Sequence, residues 1–164
     1  MNLICPYYID MFPDVLSNID IDTVLNNFSG YIGCFCKDEL KPLKIPKNQT
    51  SFAVINAGDR STGGSHWRCY FNDPNDEHIN YFDPYGVVPD ANTLTFLKKS
   101  KKKILYNTSQ LQDINSTACG YYCLYFILSR LQNKPMYDIV MNLKQNGGNE
   151  EFIQGFRNKL NNLF

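Results

Sequence analysis

The chain of 164 residues has no excess of charge of either sign, since Lys plus Arg total 16 and Asp plus Glu total 16. That balance excludes a surface given over wholly to nucleic acid, so any basic site must be local. Long apolar runs are also missing. The longest, Ala118 to Leu128, covers 11 residues, against the ~20 that a membrane-spanning helix needs, and no membrane association is expected. Met1-Asn2-Leu3-Ile4-Cys5-Pro6 has neither a basic n-region nor an apolar h-region, so the protein is not expected to be secreted. Histidine is scarce: only His66 and His78 are present. Together with Cys34-x-Cys36 and Cys119-x-x-x-Cys123 they give no zinc-finger or zinc-ribbon spacing, and no metal is expected. Six cysteines in a chain without an export signal read as free thiols rather than a disulfide framework. No internal repeat or linker interrupts the sequence, which predicts a single domain over residues 1–164.

What the chain does have is apolar and aromatic mass, 43% and 14% of residues, which excludes wholesale disorder. Asp14 to Phe28 carries Val15, Ile19, Ile21, Val24, Leu25 and Phe28 at mainly three- and four-residue intervals and predicts an amphipathic helix capped by Asp14 or Ser17. Gly30 to Pro46 reads as a turn-rich connection, and Phe52 to Asn56 as a buried strand. His66 to Phe71 and His78 to Asp83 have strand propensity and are joined by a polar turn containing Pro74, which predicts an antiparallel hairpin. In such a hairpin His66, at the start of one strand, neighbours Asp83, at the end of the other. Asn92 to Lys103 is expected to be a short helix with a lysine-rich end, and Ile104 to Tyr106 a further strand. Helices are expected over Thr117 to Leu131, from Pro135, and over Glu150 to Leu163, with a break at Asn146-Gly147-Gly148-Asn149. The fold class is α+β, with the strands clustered in the middle.

His66, Asp83 and Cys119 form a chemical set. A cysteine nucleophile needs a base beside it and an acceptor to fix the imidazole tautomer. Cys119 follows the polar Asn115-Ser116-Thr117 at the start of an apolar helix, where unpaired N–H groups favour negative charge. An ion pair between thiolate and imidazolium is expected in the resting protein. Gln112, seven residues before Cys119, lies in a loop able to fold its amide back over the sulfur. With the Cys119 backbone N–H it would supply the two donors that a tetrahedral oxyanion requires. Gly120 leaves room beside the nucleophile for substrate or backbone.

Five stretches carry a family likeness: Val54-Ile55-Asn56-Ala57-Gly58, Gly63-Gly64-x-His66-Trp67, Tyr81-Phe82-Asp83-Pro84-Tyr85-Gly86, Gln112-x-x-Asn115-Ser116-x-Ala118-Cys119-Gly120 and Met141-Asn142-Leu143. In this order they resemble the adenovirus-type cysteine endopeptidases (adenain), whose fold is shared more distantly with SUMO-specific proteases. SUMO proteases usually place the glutamine one residue closer to the cysteine, so the spacing leans to the viral branch. Short relatives of this kind look like those of virophages and Maverick/Polinton elements. The resemblance implies a papain-like, adenain-like fold in which the nucleophile's helix packs on a small mixed or antiparallel sheet. It further implies a protease that matures viral capsid or core precursor proteins at small-residue, glycine-containing sites, in the virion or in the cytoplasm or nucleus of the infected cell. His66, Asp83 and Cys119 would be the triad and Gln112 the oxyanion partner, with Gly64, Trp67 and Gly120 against the substrate; Trp67 serves equally well as packing that shields the base. A monomer that requires no cofactor is expected, with DNA or an activating peptide as stimulators. Asp83 stands where adenoviruses often have Glu, an exchange either carboxylate satisfies. The family's disulfide-tethered peptide has no counterpart cysteine here, since none lies between Cys69 and Cys119.

Each feature also has a plainer explanation. His66 alone is an ordinary strand-edge histidine, and only its company changes that; His78, after Asp76 and Glu77, reads as a solvated residue and the rival base. Asp83 also suits a cap for the Pro84-Tyr85-Gly86 turn, and Cys123 reads as core, as do Cys5, Cys34, Cys36 and Cys69. Lys98, Lys99, Lys101, Lys102 and Lys103 read as a solvated face or as a phosphate contact for nucleic acid. Gly58 to Gly64 lacks Gly-Lys-Ser/Thr and opens into a strand, which excludes a phosphate loop. Three rival functions use the same residues: an isopeptidase for ubiquitin-like modifiers, an acyltransferase, and a catalytically silent binding module.

Overall fold

The structure, a computed structural model, describes residues 12–145 and 149–163. Cys5, the segment Met1 to Pro6 and the break at Asn146 to Gly148 lie outside the described residues. The α+β class holds. Strands β1 (Tyr31–Cys36), β2 (Ser51–Asn56), β3 (Trp67–Asn72), β4 (His78–Phe82) and β5 (Lys103–Tyr106) form one mixed sheet in the order β1-β2-β3-β4-β5. The two outer pairings are parallel and the two inner ones antiparallel. The predicted hairpin is present, with Cys69 opposite Phe82 and Asn72 opposite Ile79.

Alternation along the strands feeds two cores. Phe52, Val54, Cys69, Phe71 and Phe82 face helices α1 (Asn18–Leu25), α3 (Cys119–Leu131), α4 (Met136–Gln145) and α5 (Asn149–Asn161). Ala53, Ile55, Tyr70, Ile79 and Tyr81 face Phe96 and Leu97 of α2 (Ala91–Leu97), together with Leu40 and Ile45. Both faces of β2 are therefore covered and every residue in it is buried, which explains why its sequence reads as a continuous apolar run. Helix α3 crosses the first face. Its Phe126 ring stacks on Phe82 at 4.6 Å, an arrangement worth ~0.5–1.5 kcal/mol beyond the area it buries.

Three expectations need correction. Tyr31–Cys36 is a strand, not part of a turn-rich connection. It is an edge strand with an irregular register between Tyr31 and Cys34 and a glycine, Gly33, at φ +123°, so it lacks the alternation that marks a strand. The first helix is shorter than the periodic pattern. Ser17 starts it by a capping box in which its hydroxyl accepts from the Asp20 N–H and the Asp20 carboxylate accepts from the Ser17 N–H, so Asp14 and Val15 stay outside. The lysine run is not one helix end. Lys98–Ser100 form a 3-10 turn, Lys101 is left-handed at φ 61° and Lys103 already belongs to β5.

Gly86 closes the turn after β4 at φ +70°, its N–H donating to the Asp83 carbonyl at 2.8 Å. A Cβ there would stand 2.7 Å from the backbone of Ser109. Gly86→Ala should therefore lower stability by roughly 1–3 kcal/mol, read as a lower urea midpoint at unchanged m-value; an unchanged midpoint would show that the turn does not constrain the fold.

Candidate functional site

Where β3 begins and β4 ends, the antiparallel register brings His66 and Asp83 side by side. The His66 Nε2–H donates to Asp83 Oδ1 at 2.8 Å, and the Tyr85 N–H donates to the same oxygen at 2.8 Å. Asp83 is 1% exposed. The remaining ring nitrogen, Nδ1, is not taken by Asp83, and Cys119 lies close enough to the imidazole to raise its pKa. The Tyr85 ring stacks on His66 at 4.6 Å and covers one face of the imidazole. Burial by itself lowers the His66 pKa, but the hydrogen bonds and charges of Asp83 and Cys119 outweigh it and push the group up to about 9. His66, Asp83 and Cys119 thus lie together. His78 does not join them: it opens β4 at the other end of the strand, against Asp76 and Glu77.

Cys119 is the first residue of α3 and is 8% exposed. No side chain caps this helix at Ala118, so the N–H groups of its first turn are left for another acceptor. The Trp67 N–H points at the Cys119 sulfur at 3.5 Å, which ties the start of β3 to the start of α3. The other cysteines are placed differently. Cys34 shares its proton with the Tyr31 hydroxyl at 3.1 Å, and burial pushes its thiol up to about 12; Cys123, fully buried in α3, is raised by the same cause. All the cysteines among the described residues are free thiols, as the sequence led us to expect.

Gln112 is buried in the loop before α3. Its Nε2 donates to the Ser116 carbonyl at 2.8 Å, and its Oε1 has no partner. Since an amide nitrogen has two hydrogens, one N–H is left over for a further acceptor. The Leu111 and Gln112 N–H groups both donate to the Pro84 carbonyl, fixing this loop to the turn that follows Asp83.

The expected substrate contacts divide. Gly64 lies in the exposed Gly58 to Ser65 loop, where a Cβ would meet Asn56 Nδ2 at 3.0 Å. Trp67 is half-buried, its indole N–H donating to the Leu16 carbonyl at 2.8 Å, so it packs against the first core. Gly120 does not open the room expected of it. It is buried, and a Cβ would come within 3.0–3.4 Å of the Leu16 side chain, so α1's leading segment fills that space. Of the lysines, Lys99 donates to the Lys41 and Leu43 carbonyls and Lys102 to the Asp73 carbonyl. Lys98, Lys101 and Lys103 remain exposed. They lie by the start of β5, opposite His78, one strand length from Asp83, or ~15 Å.

Two buried amides escaped the reading of the sequence as site residues. Asn107, just beyond β5, accepts from the Asp83 N–H at 3.0 Å and donates to the Asp83 carbonyl at 2.6 Å. Asn56, the last residue of β2, accepts from the N–H groups of Gly58 and Ser65 and so folds the loop that leads into His66. An asparagine at the end of a strand-like run was the signal they shared, and Asn56 also stands in one of the five family-like stretches.

The chain is similar to known proteins in the following ways. A family profile described as "Adenovirus endoprotease" matches residues 31–106. The protease of porcine adenovirus A serotype 3 is 30% identical, the match covering 75% of this chain and 68% of that protein. The protease of bovine adenovirus B serotype 3 is 25% identical, over 71% of this chain and 67% of its own length. A crystal structure of an ASFV protease superposes with a TM-score of 0.65 at 21% identity, over 87% of this chain and 66% of that one, and shows a shared fold. The chain spans about two thirds of the length of each.

The raised His66 pKa has a consequence for stability. Because the folded value of about 9 lies above the ordinary 6.5, the contribution is fully present below about pH 6.5 and is lost as pH rises through about 9. The stability difference between wild type and His66→Ala, followed by urea denaturation from pH 6 to pH 10, should shrink across that window; a constant difference would contradict the assigned shift.

Proposed function

This chain belongs to the adenovirus endoprotease family, and we propose that it is a cysteine endopeptidase with Cys119 as nucleophile, His66 as acid and base, Asp83 as orienting carboxylate and Gln112 as oxyanion donor. The observation that carries the reading is the Asp83–His66 hydrogen bond beside Cys119, whose sulfur faces the Trp67 N–H at an uncapped helix start. Asp83 accepts the proton-bearing Nε2, which leaves Nδ1 to exchange a proton with the sulfur. The Cys119 sulfur then attacks a peptide carbonyl, and the oxyanion is met by the Cys119 N–H and the second Gln112 N–H. The His66 imidazolium protonates the leaving amine, a thioester remains, and the neutral imidazole takes a proton from the water that hydrolyses it.

The substrates proposed are viral capsid or core precursor proteins cut at glycine-containing sites, in the virion or the infected cell. Two crowded features support a preference for small residues: the nucleophile is nearly buried, and His66 is covered by Tyr85. The step itself uses no metal or cofactor. DNA, an activating peptide, or both are proposed as stimulators, with Lys98, Lys101 and Lys103 as the exposed ammonium groups for a polyanion.

Co-expression with the capsid proteins of the same genome, followed by mass mapping of new termini, is the test. Wild type should generate termini at glycine-containing sites, Cys119→Ala should generate none, and Asp83→Asn should lower kcat by roughly 10²–10⁴. Cleavage by Cys119→Ala at the wild-type level would overturn the reading. Release only of a ubiquitin-like modifier, or a requirement for acyl-CoA, would replace it with an isopeptidase or an acyltransferase.

A further inference from the structure

The loop that carries Gln112 and ends at Cys119 is held from outside by the first turn of α5. Glu150 Oε1 accepts from the Asp113 N–H at 2.9 Å and from the Tyr122 hydroxyl at 3.0 Å. Its Oε2 accepts from the Ser116 hydroxyl at 2.6 Å. Asn149, its neighbour, donates from Nδ2 to the Leu111 carbonyl at 2.6 Å. One carboxylate thus fixes the loop at Asp113 and Ser116, the residues after Gln112 and before the helix start.

Ser116 passes that constraint on in two directions. Because its hydroxyl hydrogen points at Glu150, a lone pair of the same oxygen is free to accept from the Ala118 N–H at 3.1 Å, which fixes the Thr117–Ala118 peptide at the entry to α3. The Ser116 carbonyl accepts from Gln112 Nε2 at 2.8 Å, which determines where the second amide hydrogen points. It also accepts from the Tyr85 hydroxyl at 3.4 Å, and Tyr85 lies on His66. Of the two proposed oxyanion donors, the Gln112 amide is one hydrogen bond from Ser116, and the Cys119 N–H follows one residue after the Ala118 N–H that Ser116 holds.

We propose that Glu150 is a positioning residue for the oxyanion site, acting through the Ser116 hydroxyl to align the Gln112 amide with the first N–H of α3. This rests on the cysteine endopeptidase reading. It makes the terminal helix part of the catalytic apparatus, whereas a purely structural role would confine Glu150 to joining α5 to α3. The two roles differ in what they disturb. Loss of alignment affects stabilisation of the tetrahedral intermediate but leaves the Asp83–His66–Cys119 series, and hence sulfur reactivity, as it was.

The experiment compares wild type, Glu150→Ala, Glu150→Gln and Cys119→Ala on a fluorogenic peptide with Gly-Gly behind a large apolar residue. In parallel, iodoacetamide alkylation of Cys119 is followed against pH by peptide mapping. Glu150→Ala should lose at least ~10-fold in kcat, with KM within about two-fold and the Cys119 alkylation profile unchanged. Glu150→Gln keeps one acceptor oxygen but presents N–H groups to the Ser116 hydroxyl, and should fall between. A kcat within two-fold of wild type for both variants overturns the proposal, as does a loss matched by the folded fraction in near-ultraviolet circular dichroism or by slower alkylation. Turnover that persists in Cys119→Ala, or is missing from wild type, overturns the endopeptidase reading itself and this inference with it.

Discussion

Everything at the site depends on the register of β3 against β4. Cys69 faces Phe82, so the residues just beyond this pairing, His66 and Asp83, leave the sheet at the same end. Side chains alternate along a strand, and a slip of one residue would send Asp83 to the face now held by Phe82 and break the 2.8 Å contact with His66. The register is fixed by burial on both faces. Cys69, Phe71 and Phe82 belong to one core and Tyr70, Ile79 and Tyr81 to the other, so a slipped pairing would exchange two packed sets that differ in size and partners. The Phe82–Phe126 stack also ties this register to α3. The two cores therefore carry a functional constraint as well as stability, because they determine which imidazole meets which carboxylate and which sulfur.

How much of this was legible in the sequence follows from the range of each interaction. The hairpin was legible because its two strands are close in sequence and rich in strand-forming residues, and the start of α3 was legible because a polar loop gives way abruptly to an apolar run. The order of Gln112, Cys119 and Gly120 with His66-Trp67 and Asp83-Pro84 carried the family likeness. β1 was not legible, since an edge strand with Gly33 at positive φ and half-buried residues throughout has no periodic signature. Nor was the role of Gly120. A missing side chain reads the same whether substrate or Leu16 fills the space, and only the fold shows that Leu16 does. The lysine run misled for a related reason: lysines tolerate a helix, a 3-10 turn and an edge strand equally, so composition said nothing about the turn at Lys101.

The parts least visible in the sequence are the buried amides, and they share one physical cause. At the end of the sheet beyond the last pairs of β3 with β4 and β4 with β5, main-chain N–H and C=O groups lose their ladder partners while remaining out of water, a cost that a buried backbone seldom bears. An asparagine side chain carries one acceptor and one donor group in the geometry of a peptide, so it continues the ladder after the main chain has turned away. Asn107 does this for Asp83, with both halves of its amide on that one residue. Asn56 does it for the Gly58 and Ser65 N–H groups at the end of β2.

The loop before α3 solves the same problem without a neighbouring strand. Its N–H and carbonyl groups go to the Pro84 carbonyl, to the Tyr122 hydroxyl and to Asn149 and Glu150. The opposite end of the sheet uses one such amide, Asn72 at the end of β3, which donates to the Pro46 carbonyl at 3.0 Å. There the strands close on the Asp73–Glu77 turn, and Lys102 and His78 reach polar partners at the surface. Buried polar side chains thus serve both ends, and those at the His66 end hold the loops around an uncapped helix start. Where the ladders end, the amides and Glu150 supply the partners that the neighbouring strands no longer give. Rigidity at the site is consequently supplied by residues with no role in bond making, which is why it was the last feature a motif search would find.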